Sequence, residues 1–84
     1  MIRYALPCAH SILNMRIFDL RGRLVRWLVN AELAGADGVI VWDGLNDRRE
    51  RLPIGPYILL FQASSTSLGF EMTQKALVVV AKRL

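Results

Sequence analysis

RLVRWLVNAELA, residues 23–34, can be read in two ways, and the fold turns on which one holds. Leu24, Trp27, Leu28 and Ala31 recur at helical spacing. Val25, Trp27 and Val29 also alternate with Leu24, Arg26 and Leu28, the period of a strand. Periodicity alone does not choose between them; the neighbours do. Upstream, in SILNMRIFDL, Leu13, Met15 and Ile17 alternate with Asn14 and Arg16, as in a strand with one face in a core. Between the two runs lies Asp19-Leu20-Arg21-Gly22, where Gly22 can take the positive φ of a tight turn. Strand, glycine turn and a second β-compatible run predict a hairpin.

The same grammar repeats along the chain. Residues 34–38 read as a loop and VIVW (39–42) as a strand. Residues 43–56 form a polar connection containing Gly44, Pro53, Gly55 and Pro56. YILLFQA (57–63) is a strand with Tyr57, Leu59 and Phe61 on one face. SSTSLG is a turn region, and EMTQKALVVVAK (71–82) a long final strand. IRYAL near the N-terminus adds a short edge strand ended by Pro7. Short strands with no helix between them predict an all-β, antiparallel sandwich of the immunoglobulin or fibronectin type III kind, with about six or seven strands. The expected core is Ile17, Trp42, Tyr57, Phe61 and Val79, with Trp27 in the core or at its rim. The run Val78-Val79-Val80 predicts a strand covered on both faces near its end.

Eighty-four residues suffice for one domain, expected to span 1–84, with little chain to spare for a catalytic cleft. The formal charge of +4 is scattered over eleven basic and seven acidic residues. No alternation of aromatic and basic residues accompanies it, so nucleic-acid binding is not expected. The single cysteine, Cys8, excludes an internal disulfide framework. MIRYALPCAHSIL is no signal peptide, because Pro7 and His10 break its apolar stretch. No apolar run approaches the roughly 20 residues of a membrane helix, so membrane insertion is not expected. If the protein is exported, the signal would lie in a longer parent chain.

One stretch concentrates chemistry: VWDGLNDRRERLPIGPY, residues 41–57. A calcium loop needs oxygen ligands at positions one, three and five and glycine at six. Starting at Asp43, positions three and six are Leu45 and Arg48; starting at Asn46, positions three and six are Arg48 and Arg51. Neither register works, and the arginines oppose a divalent cation. Asp43 and Asp47 lack an apolar pocket to separate their pKa values as acid–base work requires. Asp43-Gly44 and Asn46-Asp47 read instead as turn formers whose side chains bond their own backbone. Cys8 and His10 have no third group to orient them, and Ser64, Ser65, Thr66 and Ser67 have no partner base. The glycines are dispersed at turns rather than gathered in a phosphate loop. No enzyme activity, metal or cofactor is expected.

The order of motifs resembles a known family. MRIFDLRGRLVRWLV, VIVWDGLND, PIGPYILLFQA and QKALVVVAK together resemble the FlgD-type immunoglobulin-like domain over about residues 13–82. The family loop usually reads Asp-Asp-x-Gly-x-x-Val-Pro; here Asp47-Arg48-Arg49-Glu50-Arg51-Leu52-Pro53 has lost the glycine. The first strand keeps only a generic look. The resemblance implies a β-sandwich module of bacterial extracytoplasmic proteins, either in a flagellar hook-capping protein or at the C-terminus of secreted and surface proteins. There, related domains serve as sorting signals for type IX secretion. It brings no catalytic residues. Trp42 would anchor the core, Asp43-Gly44 begin a corner, and Tyr57 restart the sheet.

The leading expectation is therefore a non-enzymatic C-terminal domain acting in sorting, surface attachment or spacing. Its partners would be the upstream domains of the parent protein and the secretion or cell-surface machinery. Its recognition surface would be a sheet edge or the last strand, with Lys75, Lys82 and Arg83 available for charge contacts. The alternatives are an assembly module of hook-cap type and a carbohydrate- or ligand-binding sandwich using Trp27 and the 48–51 arginines. A ligand platform needs exposed, coplanar aromatics, whereas a structural module buries them.

Overall fold

Alternate side chains of SILNMRIF decide where the core lies: Ser11, Leu13, Met15 and Ile17 are buried and the residues between them are not. The structure, a computed structural model, describes residues 2–6, 10–65 and 69–81. Within them the strands are β1 (Ile2–Ala5), β2 (Ser11–Phe18), β3 (Leu24–Ala34), β4 (Asp37–Ile40), β5 (Gly55–Ser65) and β6 (Phe70–Val80), with no helix. All pairings are antiparallel. β3-β2-β5-β6 form one sheet and β1-β4 a second, in a sandwich-like arrangement.

The hairpin reading of 23–34 holds. At its turn Gly22 has φ 84° and donates its N–H to the Asp19 carbonyl at 3.0 Å. The Asp19 carboxylate accepts the amides of Arg21 and Arg23 at 2.9 and 3.0 Å. The bond from the Arg23 amide leads the causes that hold Asp19 below the usual carboxylate range. With the folded value depressed, the turn's contribution is present above the unfolded pKa and lost as pH falls through the folded one. Why the stretch fits both periods is also visible. Phe18 pairs with Leu24, Ile17 with Arg26, Arg16 with Trp27 and Met15 with Val29, so Val25 and Leu28 are extra residues in β3. Both extras pack against the core, which breaks a clean alternation.

β2 and β5 lie side by side in the centre of the large sheet. Leu13 faces Ala63, Met15 faces Phe61 and Ile17 faces Leu59, and all six are buried. The small sheet covers this inner face. Tyr4 of β1 sets its ring 5.9 Å from that of Phe61, while Ile2, Ile40 and Trp42 pack against the same cluster. Trp42 meets Tyr57 edge-on at 5.8 Å, and the buried Tyr57 donates its hydroxyl to the Pro53 carbonyl at 2.7 Å. Ile17, Tyr57 and Phe61 thus lie in the core as expected, and Trp42 is half-buried at its border.

Three expectations need correction. Val79 is 64% exposed, because it lies on the outer face of β6 opposite Pro56, which no described strand covers. Only Val78 and Val80 of the valine run pack inward. Trp27 is 40% exposed on that same outer face. The fourth strand is displaced: it starts inside the expected loop, at Asp37, and ends at Ile40, since its four-residue partner β1 sets its length. Pro7, and the turn residues 66–68, lie outside the described residues.

Gly38 stands opposite Tyr4, and a β-carbon there would collide with the tyrosine ring. Gly38→Ala should therefore cost about 1–3 kcal/mol, an overpacking penalty. Urea unfolding should show that most of this loss disappears in a Tyr4→Ala background, as coupled neighbours require.

Candidate functional site: the 43–52 loop and the free sheet edge

The charged loop is built from side chains that bond its own backbone. The Asp43 carboxylate accepts the Leu45 amide at 3.0 Å. Asn46 Oδ1 accepts the amides of Arg48 and Glu50, both at 2.9 Å, and the Asn46 amide donates to the Glu50 carbonyl at 2.9 Å. The Asn46 side chain also reaches Glu50 Oε1 at 3.2 Å. An isolated bridge between Leu45 and Arg51 closes the base, and Trp42 Nε1 donates to the Leu45 carbonyl at 3.1 Å. The tight point is Arg49, which takes φ 62°, a left-handed conformation that favours glycine.

This loop docks on the free edge of β3. The Trp27 amide donates to Asp47 Oδ1 at 3.0 Å, and the Asp47 amide donates to the Val25 carbonyl at 3.1 Å. Asp47 therefore supplies one acceptor and one donor where a neighbouring strand would stand. Arg26 reaches across from β3 to the carbonyls of Leu45 and Asn46, each at 3.3 Å. It also stands 3.6 Å from Asp43 and 3.9 Å from Asp47. Each such part-exposed pair contributes only about 0.2–1 kcal/mol, so the backbone bonds define the docking.

Between this loop and the β2–β3 turn lies a cleft of about 490 Å³, lined by Asp19, Arg23, Val25, Asn46, Arg48 and Glu50 among others. Its carboxylates and amide are already engaged: Asp19 with the turn, Asn46 and Glu50 with each other. Among the described residues no group of three or more His, Cys, Asp or Glu gathers as a metal would require. Cys8, which the sequence paired with His10, lies outside the described residues.

On the outer face of the large sheet the Arg16 guanidinium lies 5.4 Å from the Trp27 ring and 5.9 Å from the Phe18 ring, and donates to Gln62. Trp27 Nε1 is bonded to the Val29 carbonyl at 3.0 Å. Arg16 thus stands over one face of the Trp27 ring. Ring–ring contacts among the described residues, Tyr4–Phe61 and Trp42–Tyr57, both involve rings packed in or against the core.

β6 is the other border of the sheet. It pairs with β5 without a register shift, from Gly55 opposite Val80 to Ser65 opposite Phe70, and no other described strand flanks it. Lys75 is exposed on its outer face, opposite Leu60, and Glu71 stands four residues before it on the same face. Lys82 and Arg83 lie outside the described residues. Of the three basic residues read as a recognition set, only Lys75 is placed. Glu71 escaped the sequence reading, although its spacing from Lys75 puts the two on one strand face.

Comparison with protein-family models, with curated proteins and with solved structures finds no match.

Arg49→Gly should relieve the left-handed strain and raise unfolding free energy by about 1 kcal/mol, the order of the αL penalty for residues with a β-carbon. Chemical denaturation checks this. An unchanged or lowered stability would mean that the loop is not held in the turn described.

Proposed function

We propose that this chain is a non-enzymatic β-sandwich module of immunoglobulin or fibronectin type III kind and of FlgD type. It would serve an exported bacterial protein in C-terminal sorting, surface attachment or spacing. One observation carries the non-enzymatic part: the loop that concentrates acidic and amide side chains uses them to bond its own backbone and the edge of β3. What remains for a partner is backbone along β6 and the charges beside it. The FlgD-type reading is supported by the order of its four motifs. It is further supported by Arg49, which holds a left-handed turn at the very position where the family pattern has glycine. Trp42 and Tyr57, at the two ends of the corner, pack edge to face against the core.

The module would act extracytoplasmically. Its partners would be the upstream domains of the parent protein and secretion or surface machinery that reads Lys75, Lys82 and Arg83. A periplasm-targeted fluorescent reporter carrying residues 1–84 at its C-terminus, expressed in a bacterium with an active type IX system, tests the sorting role. The reporter should reach the surface or medium, and a Lys82→Glu/Arg83→Glu version should remain periplasmic while still folded. Retention of both, with the domain folded, would reject sorting and leave spacing or assembly.

A further inference from the structure

The two borders of the large sheet are managed differently. At β3, Val25 and Leu28 interrupt the ladder, Ala31 takes φ 50°, and Asp47 occupies the Val25 and Trp27 backbone groups. Bulges and covering loops are the usual ways to prevent edge pairing. β6 shows neither among the described residues: its eleven residues run in unbroken register and carry no positive φ. A long regular edge is a template for another strand.

The charges select the strand. Glu71, Thr73, Lys75, Leu77 and Val79 share the outer face, and Glu71 and Lys75 make no ion pair with another described residue. A two-fold axis perpendicular to the sheet at Thr73 would set β6 antiparallel to a second β6. In that register Glu71 of each copy stands opposite Lys75 of the other, on the same face, and residues 70–76 pair. Cross-strand pairs of opposite charge stabilise an antiparallel ladder and like charges oppose it. Shifting the axis to Lys75 or to Glu71 would instead set like charges face to face. We propose that β6 docks a second copy of this chain in the Thr73-centred register, joining two four-stranded sheets into one. The proposal rests on β6 as the recognition surface and names its occupant.

Sedimentation equilibrium of the full chain over a concentration series, up to about 1 mM where a weak contact of about 4 kcal/mol registers, reads the assembly directly. A monomer–dimer equilibrium is expected. Lys75→Glu and Glu71→Lys, both at exposed positions, should each raise the dimer Kd about tenfold, since two attractive pairs become repulsive. The doubly swapped Glu71→Lys/Lys75→Glu chain should return to within about threefold of the parent, because the pairs are restored with signs reversed. Amide exchange supplies a second readout: β6 amides should gain protection with rising protein concentration, while those of β3 should not. A chain monomeric throughout the series overturns the proposal. So does a dimer indifferent to the single swaps, or one that the double swap fails to restore. None of these outcomes depends on export, so the sorting role and the self-pairing fail separately.

Discussion

Asp47 meets β3 with both ends of its polar inventory. Its carboxylate accepts the Trp27 amide and its own amide donates to the Val25 carbonyl. A sheet border exposes alternating donors and acceptors, and a single loop residue that offers one of each can stand in for a strand. The position of Asp47 depends in turn on the folded loop beneath it. Asn46 gathers the amides of Arg48 and Glu50, Arg49 turns left-handed, and Arg26 holds the Leu45 and Asn46 carbonyls from the strand side. The charged loop is therefore a device for ending the sheet, and its density of acidic and basic residues reflects that task.

Covering one border leaves the other open. With β3 bulged and covered, the regular ladder runs through β2 and β5 to β6, whose outer border carries the apolar Leu77 and Val79 beside Lys75. The inner face is filled by small and medium side chains around Met15, Ile17 and Phe61, and the two-stranded sheet covers it through Tyr4 and Trp42. A cavity of about 210 Å³ lies between the sheets beside Tyr4, Phe61 and Met72, and in the cleft beside the loop Asp19, Asn46 and Glu50 are already hydrogen-bonded. Recognition through strand addition uses backbone groups and alternate side chains, which is the chemistry that β6 retains.

Most of the architecture was legible because period and punctuation agreed. Leu13, Met15 and Ile17 marked an inner face without ambiguity, and Gly22 fixed the turn that made 24–34 a strand. What escaped did so for physical reasons. Val25 and Leu28 both face inward only because β3 carries extra residues, and a bulge leaves no mark on composition. Gly38 looked like loop punctuation but serves in a strand, where its missing side chain admits the Tyr4 ring. Val79 looked buried because three valines in a row suggest two covered faces, yet no described strand covers the outer face. Asp43 and Asn46 were readable as turn formers, but the Asp47 carboxylate, read the same way, accepts the Trp27 amide, a contact across twenty residues that local pattern does not encode.

Hydrogen exchange at the Trp27 amide tests the edge-cap role of Asp47 most directly, in the parent chain and in Asp47→Ala. Loss of the acceptor should raise the Trp27 exchange rate by one to two orders of magnitude, corresponding to about 1–3 kcal/mol for a released backbone donor, while the β2–β5 ladder stays protected. If Trp27 stays as protected as before, or exchanges freely already in the parent, Asp47 does not close this border and the structural role assigned to the loop is wrong.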